Sequence, residues 1–549
     1  MRIRTWQCAF IMAAVTMHLA TPGNPGIGIA FAVEPVVIAN LPFDDPLMAE
    51  SSPSDHVGSY FNPVERIAEI PLTEQSEPVV LESDTHKPPA PPQPCNYTRN
   101  CGCQQGRCAD GSMRDAYRCL FFNNDFSYLG DPCYKGPRYL GDCLKGLCHQ
   151  CLDLGGEARV RFEDDNNIYG AGLSGVSEDY WLTRVRLFAD YRMNDWFRLY
   201  GEYLHGGSGG NLFPTLPGNQ QLGRIQNGFL DARLTKSLTL RLGRQEQSYG
   251  SQRLVSPLDW VNDRRTFDGV KAIYDSNQWN VDTFFLHPVH QPSATNSGAD
   301  TDEAVDFYGI YARRTHDARG SLDAYYFGLN NSRANLDYQT IGMRLRSESD
   351  RGTLYAFESA YLFGNNSPGH GNHSAAFVTA GLGHRLKNLR RNNKYDSTLW
   401  LWYDWASGDD AIPATRGDDG FDALFPQSHW YLGFMDLFGR RNINDVNIQF
   451  TTPLFGSKVQ LILWYHYFFL DQKTTPYNVD MTAFNPNNEA ADRELGQELD
   501  VLLNVSLNPR NSLLLGYSFF NSGKYYELTP GVPTDADAEF MYLQYQTRF

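Results

Sequence analysis

From about Glu157 to the end of the chain, apolar and polar residues alternate in short runs broken by Gly, Asn, Asp and Ser. Alternation with period two marks strands with one greasy face and one wet face. The closing segment Glu539–Phe549 is an example. Met541, Leu543, Tyr545 and Thr547 fall on one face, and Gln544, Gln546 and Arg548 on the other. Such a strand running up to an aromatic residue is expected of the last strand of a membrane β-barrel. The same pattern gives eighteen candidate strands, starting near residues 157, 179, 195, 225, 237, 265, 278, 303, 319, 337, 351, 373, 396, 441, 457, 494, 510 and 536. Most are long enough to cross a bilayer at a tilt, which takes about 9–11 residues. Sixteen strands is the alternative, because limits read from pattern are soft by a few residues.

The connections carry a second signal. Those after even-numbered strands are mostly tight: Met193–Asp195, Thr235–Ser237, Asp275–Gln278, His316–Gly320, Ser347–Arg351, Leu454–Ser457 and Asn508–Asn511. Those after odd-numbered strands are mostly long, the longest running from about Gly408 to Arg440. Short turns on the periplasmic side and long loops outside predict this alternation, which a propeller or β-helix has no reason to show. The expected fold class is therefore all-β: a transmembrane antiparallel barrel over 157–549, with both ends of its wall on the periplasmic side.

Period two also assigns faces. Ala158, Val160, Phe162, Val185, Leu187 and Ala189 are expected to face lipid. Glu157, Arg159, Arg161, Arg184, Arg186, Arg198, Glu202, Asp231, Arg233 and Arg241 then face the lumen, with Lys271, Arg313, Arg344 and Arg346. Inward acids are Asp282, Asp323, Glu358, Asp404, Glu498 and Asp500. A charge on the lipid face costs about 2–4 kcal/mol at the midplane, so shared parity among so many charges argues for a polar lumen. Two roles compete. Arginines and carboxylates pair across strands and stiffen the wall, or rings of arginine favour anions in passage. Bases cluster in the first ten strands, which leans toward an anion path. Trp464, Tyr465, Phe468 and Phe469 fit an interfacial aromatic belt.

Composition changes the picture at the N-terminal side. Arg2 and Arg4 precede an apolar run from Cys8 to about Ala20, and small residues follow, so 1–32 reads as a signal peptide. Residues 33–94 carry eleven acids against two bases and end in a Pro-rich run, the pattern of a disordered acidic linker. The net charge of −16 and this acidic stretch exclude nucleic acid as a partner, because phosphate binding needs clustered Lys and Arg. Nine cysteines then crowd into 95–151: Cys95, Cys101, Cys103, Cys108, Cys119, Cys133, Cys143, Cys148 and Cys151. In an exported chain this predicts a small disulfide-stapled module with one thiol left over, a metal site being the rival. The module is expected to hang in the periplasm, and its place just before the first strand would let it plug the barrel.

One stretch goes beyond pattern. Arg241–Gly269 reads RLGRQEQSYGSQRLVSPLDWVNDRRTFDG, and Leu424–Asn442 reads LFPQSHWYLGFMDLFGRRN. Both resemble the alginate-export family of outer-membrane proteins. The resemblance spans roughly 157–549 and leaves out the cysteine cluster and the acidic segment. It implies an eighteen-stranded monomeric barrel whose electropositive constriction passes an anionic polysaccharide outward. Within the shared loop it makes Arg244, Arg253, Arg264 and Arg265 candidate polyanion contacts. Asp259, Asp263 and Asp268 become their partners or gates. Sixteen or so residues of that loop are long enough to fold into the mouth, stiffened by Pro257 and Trp260. The competing reading is a rim loop held by Arg–Asp pairs that never touches solute.

The expected function is a porin or export channel for an anionic oligosaccharide or polysaccharide, seated in outer-membrane lipid. The alternative is a barrel-anchored docking protein that holds a periplasmic protein or the cell wall through 95–151. Neither needs a cofactor. The carboxylates Asp409, Asp410, Asp418, Asp419 and Asp422 match no calcium loop and read as a solvated acidic loop. His290, His370, His373 and His429 are expected in loops without metal-ligand spacing. His466 is expected inward on the fifteenth strand, with no nucleophile beside it to make a hydrolase.

Overall fold

A computed structural model describes residues 116–549 apart from 132–133, 135, 169–172, 211–221, 291–299, 317–319, 348–351, 366–371, 388–394, 411–418, 428, 456–457, 486–487 and 533–536. The expected signal peptide, the acidic linker and Cys95, Cys101, Cys103, Cys108 and Cys133 lie outside the described residues.

The strands in chain order are β1 Leu152–Ile168, β2 Leu173–Arg192, β3 Phe197–Gly209, β4 Leu222–Arg233, β5 Leu238–Gln245 and β6 Phe267–Asp275. They continue with β7 Trp279–Pro288, β8 Val305–His316, β9 Gly320–Asn331, β10 Leu336–Arg346, β11 Thr353–Asn365 and β12 Asn372–Lys387. The last six are β13 Tyr395–Ala406, β14 Ile443–Leu454, β15 Val459–Phe469, β16 Glu494–Asn508, β17 Asn511–Ser522 and β18 Ala538–Arg548. Each pairs antiparallel with its sequence neighbours, and β1 closes on β18 from Glu157↔Arg548 to Asn166↔Glu539. The sheet is thus a closed eighteen-stranded barrel with no edge. β1 begins five residues before the expected start, because Leu152–Gly156 continues to pair with Leu187–Tyr191 of β2.

Closure explains why lipid-facing residues stay exposed in a folded chain. Val160, Leu242, Leu401, Leu543 and Tyr545 point outward and are exposed, while Arg159, Arg161, Gln544 and Gln546 point inward and are buried. In a bilayer the exposed set meets hydrocarbon. No helix among the described residues is long and apolar enough to cross a membrane. A closed barrel satisfies its own backbone and can cross with its strands. Two expectations fail on parity. Trp464 and Phe468 share the face of His466 and pack inside, whereas Tyr465 faces out. His373 lies within β12, not in a loop, and is buried with its ring 4.8 Å from that of Tyr338.

The outer wall gives a direct stability test. Leu401 is 56% exposed in mid-strand on β13. Leu401→Arg is expected to cost about 2–4 kcal/mol by placing a guanidinium in hydrocarbon. Urea titration of the barrel refolded into bilayers measures this cost. An unchanged midpoint would place β13 out of contact with lipid.

Candidate functional site in the barrel lumen

The lumen is filled by the chain itself. Two long loops turn inward, 246–266 between β5 and β6 and, between β13 and β14, residues 419–427 and 429–442. They meet inside. The Ser256 amide donates to Phe425 O at 2.8 Å, the Phe425 amide to Leu254 O at 2.9 Å and the Gln427 amide to Gln252 O at 2.9 Å. Leu254, Val255, Leu258, Val261, Phe421, Leu424, Phe434, Met435, Leu437 and Phe438 form one apolar cluster with inward aromatics of the wall. Burial on this scale holds the loops in, at about 1.5–3 kcal/mol per large side chain. The backbone shows what insertion costs. Gln252, Leu258, Leu424 and Asp436 adopt positive φ of 65°, 59°, 62° and 55°, a strained region for residues with a Cβ. The expected solvated acidic loop is therefore corrected over its later part: Asp422 is buried, and residues 420–427 and 429–440 turn into the lumen because their Phe, Leu and Met side chains have no other place to hide.

Five guanidiniums converge on residues 259–261. Arg159 donates to Asp259 O at 2.7 Å, Trp260 O at 2.6 Å and Val261 O at 3.0 Å. Arg161 donates to Trp260 O at 2.9 Å, lies 3.3 Å over the Trp260 ring and pairs with Glu163 at 2.5 Å. Arg184 bridges Glu157 at 2.9 Å and the Asp259 carboxylate at 2.8 Å. Arg186 pairs with Glu202 at 2.7 Å and reaches Glu246 at 3.8 Å. Arg264 pairs with Glu246 at 2.5 Å and with Asp259. Trp260 is 1% exposed, stacked on His429 at 5.3 Å. Asp263, also buried, pairs with Arg224 at 2.6 Å. Burial pushes its carboxyl up to about 6 against the pull of that guanidinium.

The other candidates scatter. Arg241 holds Asp231 with two bonds of 2.7 and 2.9 Å, Lys271 meets Asp282 at 3.2 Å, and Arg344 meets Asp323 at 2.9 Å. Arg253 lies 3.7 Å over Tyr431 and 3.4 Å from Glu358. Arg265 donates to Ser256 O at 3.2 Å. Arg233 and Arg346 are half-buried near the short turns. Arg244 departs from the lumen. It shares the parity of exposed Leu242, three residues from inward Arg241, and grips Asp268 with bonds of 2.9 and 2.8 Å on the outer face. Arg244 and Asp268 are thus not brought to the constriction. Sequence reasoning missed Arg224, Glu246 and Arg440, the last paired with Asp404 at 2.7 Å. The signal for Glu246 was its place directly after an inward strand end.

A third piece closes the end bearing the short turns. Residues 116–131 enter the lumen there, with Phe121 and Phe122 buried. Phe122 packs edge-on against Tyr200 at 5.8 Å and Phe229 at 5.2 Å, both inward. Arg186 lies 3.7 Å over the Phe121 ring, and Arg198 donates to Phe122 O at 2.6 Å. Arg264 donates to Cys119 O at 3.1 Å, tying this segment to the β5–β6 loop. Tyr117 donates to Phe549 O at 2.6 Å. Behind it Cys143 is disulfide-bonded and Cys148 is an exposed thiol.

Lys145 gives this closure a pH dependence. Its ammonium lies 4.7 Å over Phe126 and 5.2 Å over Phe188, and burial pushes it down to about 7. Asp153 and Asp142 pull it up, and Arg510 pushes it down. The docked lysine binds its proton less readily than a released one. Docking is therefore expected to strengthen as pH rises from about 7 toward 10.5, and to show no further dependence on this group below 7. The urea midpoint for release of the segment at pH 6 to 10 checks this, and Lys145→Met should flatten the profile.

A closed antiparallel barrel with a lipid-facing wall and a charged interior defines an outer-membrane channel of the porin or exporter type. The family model described as alginate export matches residues 150–536. The chain belongs to the alginate export family, whose members are transport channels rather than enzymes, and its place is the bacterial outer membrane. Among solved structures, the outer membrane protein OpdK from Pseudomonas aeruginosa is similar, at a TM-score of 0.50 and 11% identity over 72% of this chain and 98% of that one. OprD from Pseudomonas aeruginosa (TM-score 0.49, 13% identity, 72% and 94%) and OccAB1 from Acinetobacter baumannii (0.49, 12%, 72% and 96%) are similar to it as well. These likenesses concern the fold alone. No curated protein sequence matches the chain.

Proposed function

We propose that the barrel passes an anionic polysaccharide or oligosaccharide, and that the β5–β6 loop occupies the path as a stand-in for it. The observation that carries this reading is the convergence of Arg159, Arg161, Arg184, Arg186 and Arg264 on oxygen atoms of residues 259–261. Arg159 meets only carbonyls and one amide oxygen there, neutral acceptors in each case. Guanidinium forks prefer carboxylates, which they bind in charge-assisted pairs about twice as strong as neutral bonds. A uronic acid chain offers one carboxylate per sugar. Exchanging loop carbonyls for such carboxylates leaves no guanidinium unpartnered, so the polar contacts of the loop can be given up without stranding a buried charge. Residues 1–32 serve as signal peptide on this reading, and the cysteine cluster sits in the periplasm.

The test is single-channel conductance of the refolded full chain in a planar bilayer, with a reversal potential and added oligouronate. Anion selectivity with concentration-dependent block is expected. Equal passage of neutral and anionic solutes at low salt would remove the anion assignment. The packed lumen favours a second reading, a barrel that anchors a periplasmic docking segment. Absence of conductance both with and without residues 95–151 would select it.

A further inference from the structure

Two indoles in the lumen are packed less tightly than the others. Trp464 and Trp260, pressed against the loops, are 6% and 1% exposed, whereas Trp400 and Trp402 are only half-buried. Both point inward, since Leu399, Leu401 and Tyr403 between and beside them are exposed on the outer wall. They are not part of an interfacial belt. They stack one behind the other, with centroids 4.8 Å apart and planes 20° from parallel. Each lies flat on a glycine of β12. A Cβ at Gly381 would collide with the Trp402 ring, and one at Gly383 with the Trp400 ring. Backbone thus covers one side of each indole, the Arg253 guanidinium of the β5–β6 loop lies 5.6 Å over the Trp402 ring, and part of each ring stays open to the lumen.

The register places charge on the same wall. Arg346, Ala356, Gly381 and Trp402 form one row across β10 to β13. Three strand spacings separate the ends of the row, about 14 Å. The floor between them is small. Arg385 lies two residues beyond Gly383 toward the short turns, opposite Thr398, and is half-buried like Arg346. The result is a shallow trough near the short-turn end, with the indoles on one side, Arg346 on the other and Arg385 at its short-turn limit beside Trp400.

We propose that this trough is a binding step for one or two sugars of an acidic saccharide. The indole faces take the apolar C–H face of a pyranose ring, and Arg346 and Arg385 take the carboxylate of that sugar or the next. The negative face of the indole quadrupole favours the weakly positive C–H edge, and covering it removes apolar area from water. A neutral wall would hold any sugar, and a purely basic one any anion. The pairing selects a saccharide that is both. This proposal rests on the reading of the barrel as a channel for acidic saccharides.

The test is calorimetric titration of the full chain, refolded in detergent, with a hexameric oligouronate, a neutral hexasaccharide and acetate. Oligouronate is expected to bind at least tenfold more tightly than either of the others. The double variant Trp400→Leu/Trp402→Leu should weaken it about tenfold or more, with Phe at both positions recovering part of the loss. Arg346→Gln/Arg385→Gln should bring oligouronate down to the level of the neutral sugar. Gly381→Leu, which displaces the Trp402 ring without removing it, is a second variant with the same expected loss. Heat-modifiable mobility on gels certifies that each barrel is folded. Undiminished oligouronate affinity in the folded leucine and glycine variants overturns the trough while leaving the channel reading intact. No oligouronate binding to the wild-type chain overturns both.

Discussion

Replacing Phe121 and Phe122 together by alanine is expected to raise the open probability of the barrel more than a hundredfold in planar bilayers. The two rings are the anchors of residues 116–131 in the short-turn end. Each is buried, and each is gripped on both sides, Phe122 by Tyr200, Phe229 and the Arg241 guanidinium at 4.5 Å, and Phe121 by Phe188 and Arg186. Truncating one buried Phe to Ala costs about 3–5 kcal/mol. What remains is the packing of Leu120, Phe126 and Leu129 in the same apolar cluster and three polar ties, Arg198 to Phe122 O, Arg264 to Cys119 O and Tyr117 to Phe549 O. Such bonds are each worth only about 0.5–1.5 kcal/mol net, because water replaces them on release. Every 1.4 kcal/mol is tenfold in an equilibrium, so even a heavily discounted loss from two anchors exceeds a hundredfold. The wall is untouched, and the variant should refold as the wild type does. Conductance identical to wild type would mean that the inward loops alone close the lumen.

Much of this molecule was legible before its shape was known, for one physical reason. A strand between lipid and a polar lumen must alternate strictly, so Val160 or Leu543 could not be misplaced without a large cost. Sixteen of the eighteen strands begin within three residues of where the pattern puts them, while β1 and β2 begin five and six residues earlier. The same rule was available for Arg244 and Trp464, where counting parity from Arg241 and His466 gives the observed faces. The inward loops were harder. A loop has no period, and 407–442 carries enough Asp to read as solvated. Its apolar residues, Phe421, Leu424, Phe425, Leu432, Phe434, Met435, Leu437 and Phe438, were the missed signal. A loop that greasy on a monomeric surface is exceptional, and folding it into the barrel buries it. Asp259 and Asp268 were named as partners of the loop arginines, and Arg264 and Arg244 meet them. The pairs that join loop to wall were not legible, because Asp259 and Glu246 reach Arg184 and Arg186 only after the loop has inserted.

Glu246→Gln and Arg264→Gln are expected to free the β5–β6 loop alike and to move ion selectivity in opposite directions. Glu246 sits at the hub of the insertion. It accepts from Arg264 at 2.5 Å, Gln226 at 3.0 Å and Asn227 at 3.2 Å, and it faces Arg186. Burial alone would raise its carboxyl, but the guanidiniums of Arg264 and Arg186 hold it below the ordinary range, so it is charged at neutral pH. Removing either partner of a buried pair costs about 3–5 kcal/mol, since the other is left buried and unbalanced. Faster amide exchange over 256–264 in both variants measures that loss. The difference lies in what the opened path displays. Without Glu246 the layer of Arg159, Arg161, Arg184, Arg186 and Arg264 keeps all its positive charge and loses a counter-charge, so the reversal potential should shift toward anions. Without Arg264 the same loop opens onto a layer poorer by one positive charge, and the shift should run toward cations. A merely structural network would loosen in both variants and leave selectivity alone. Shifts of the same sign in the two variants would show that the ions take a path elsewhere in the barrel.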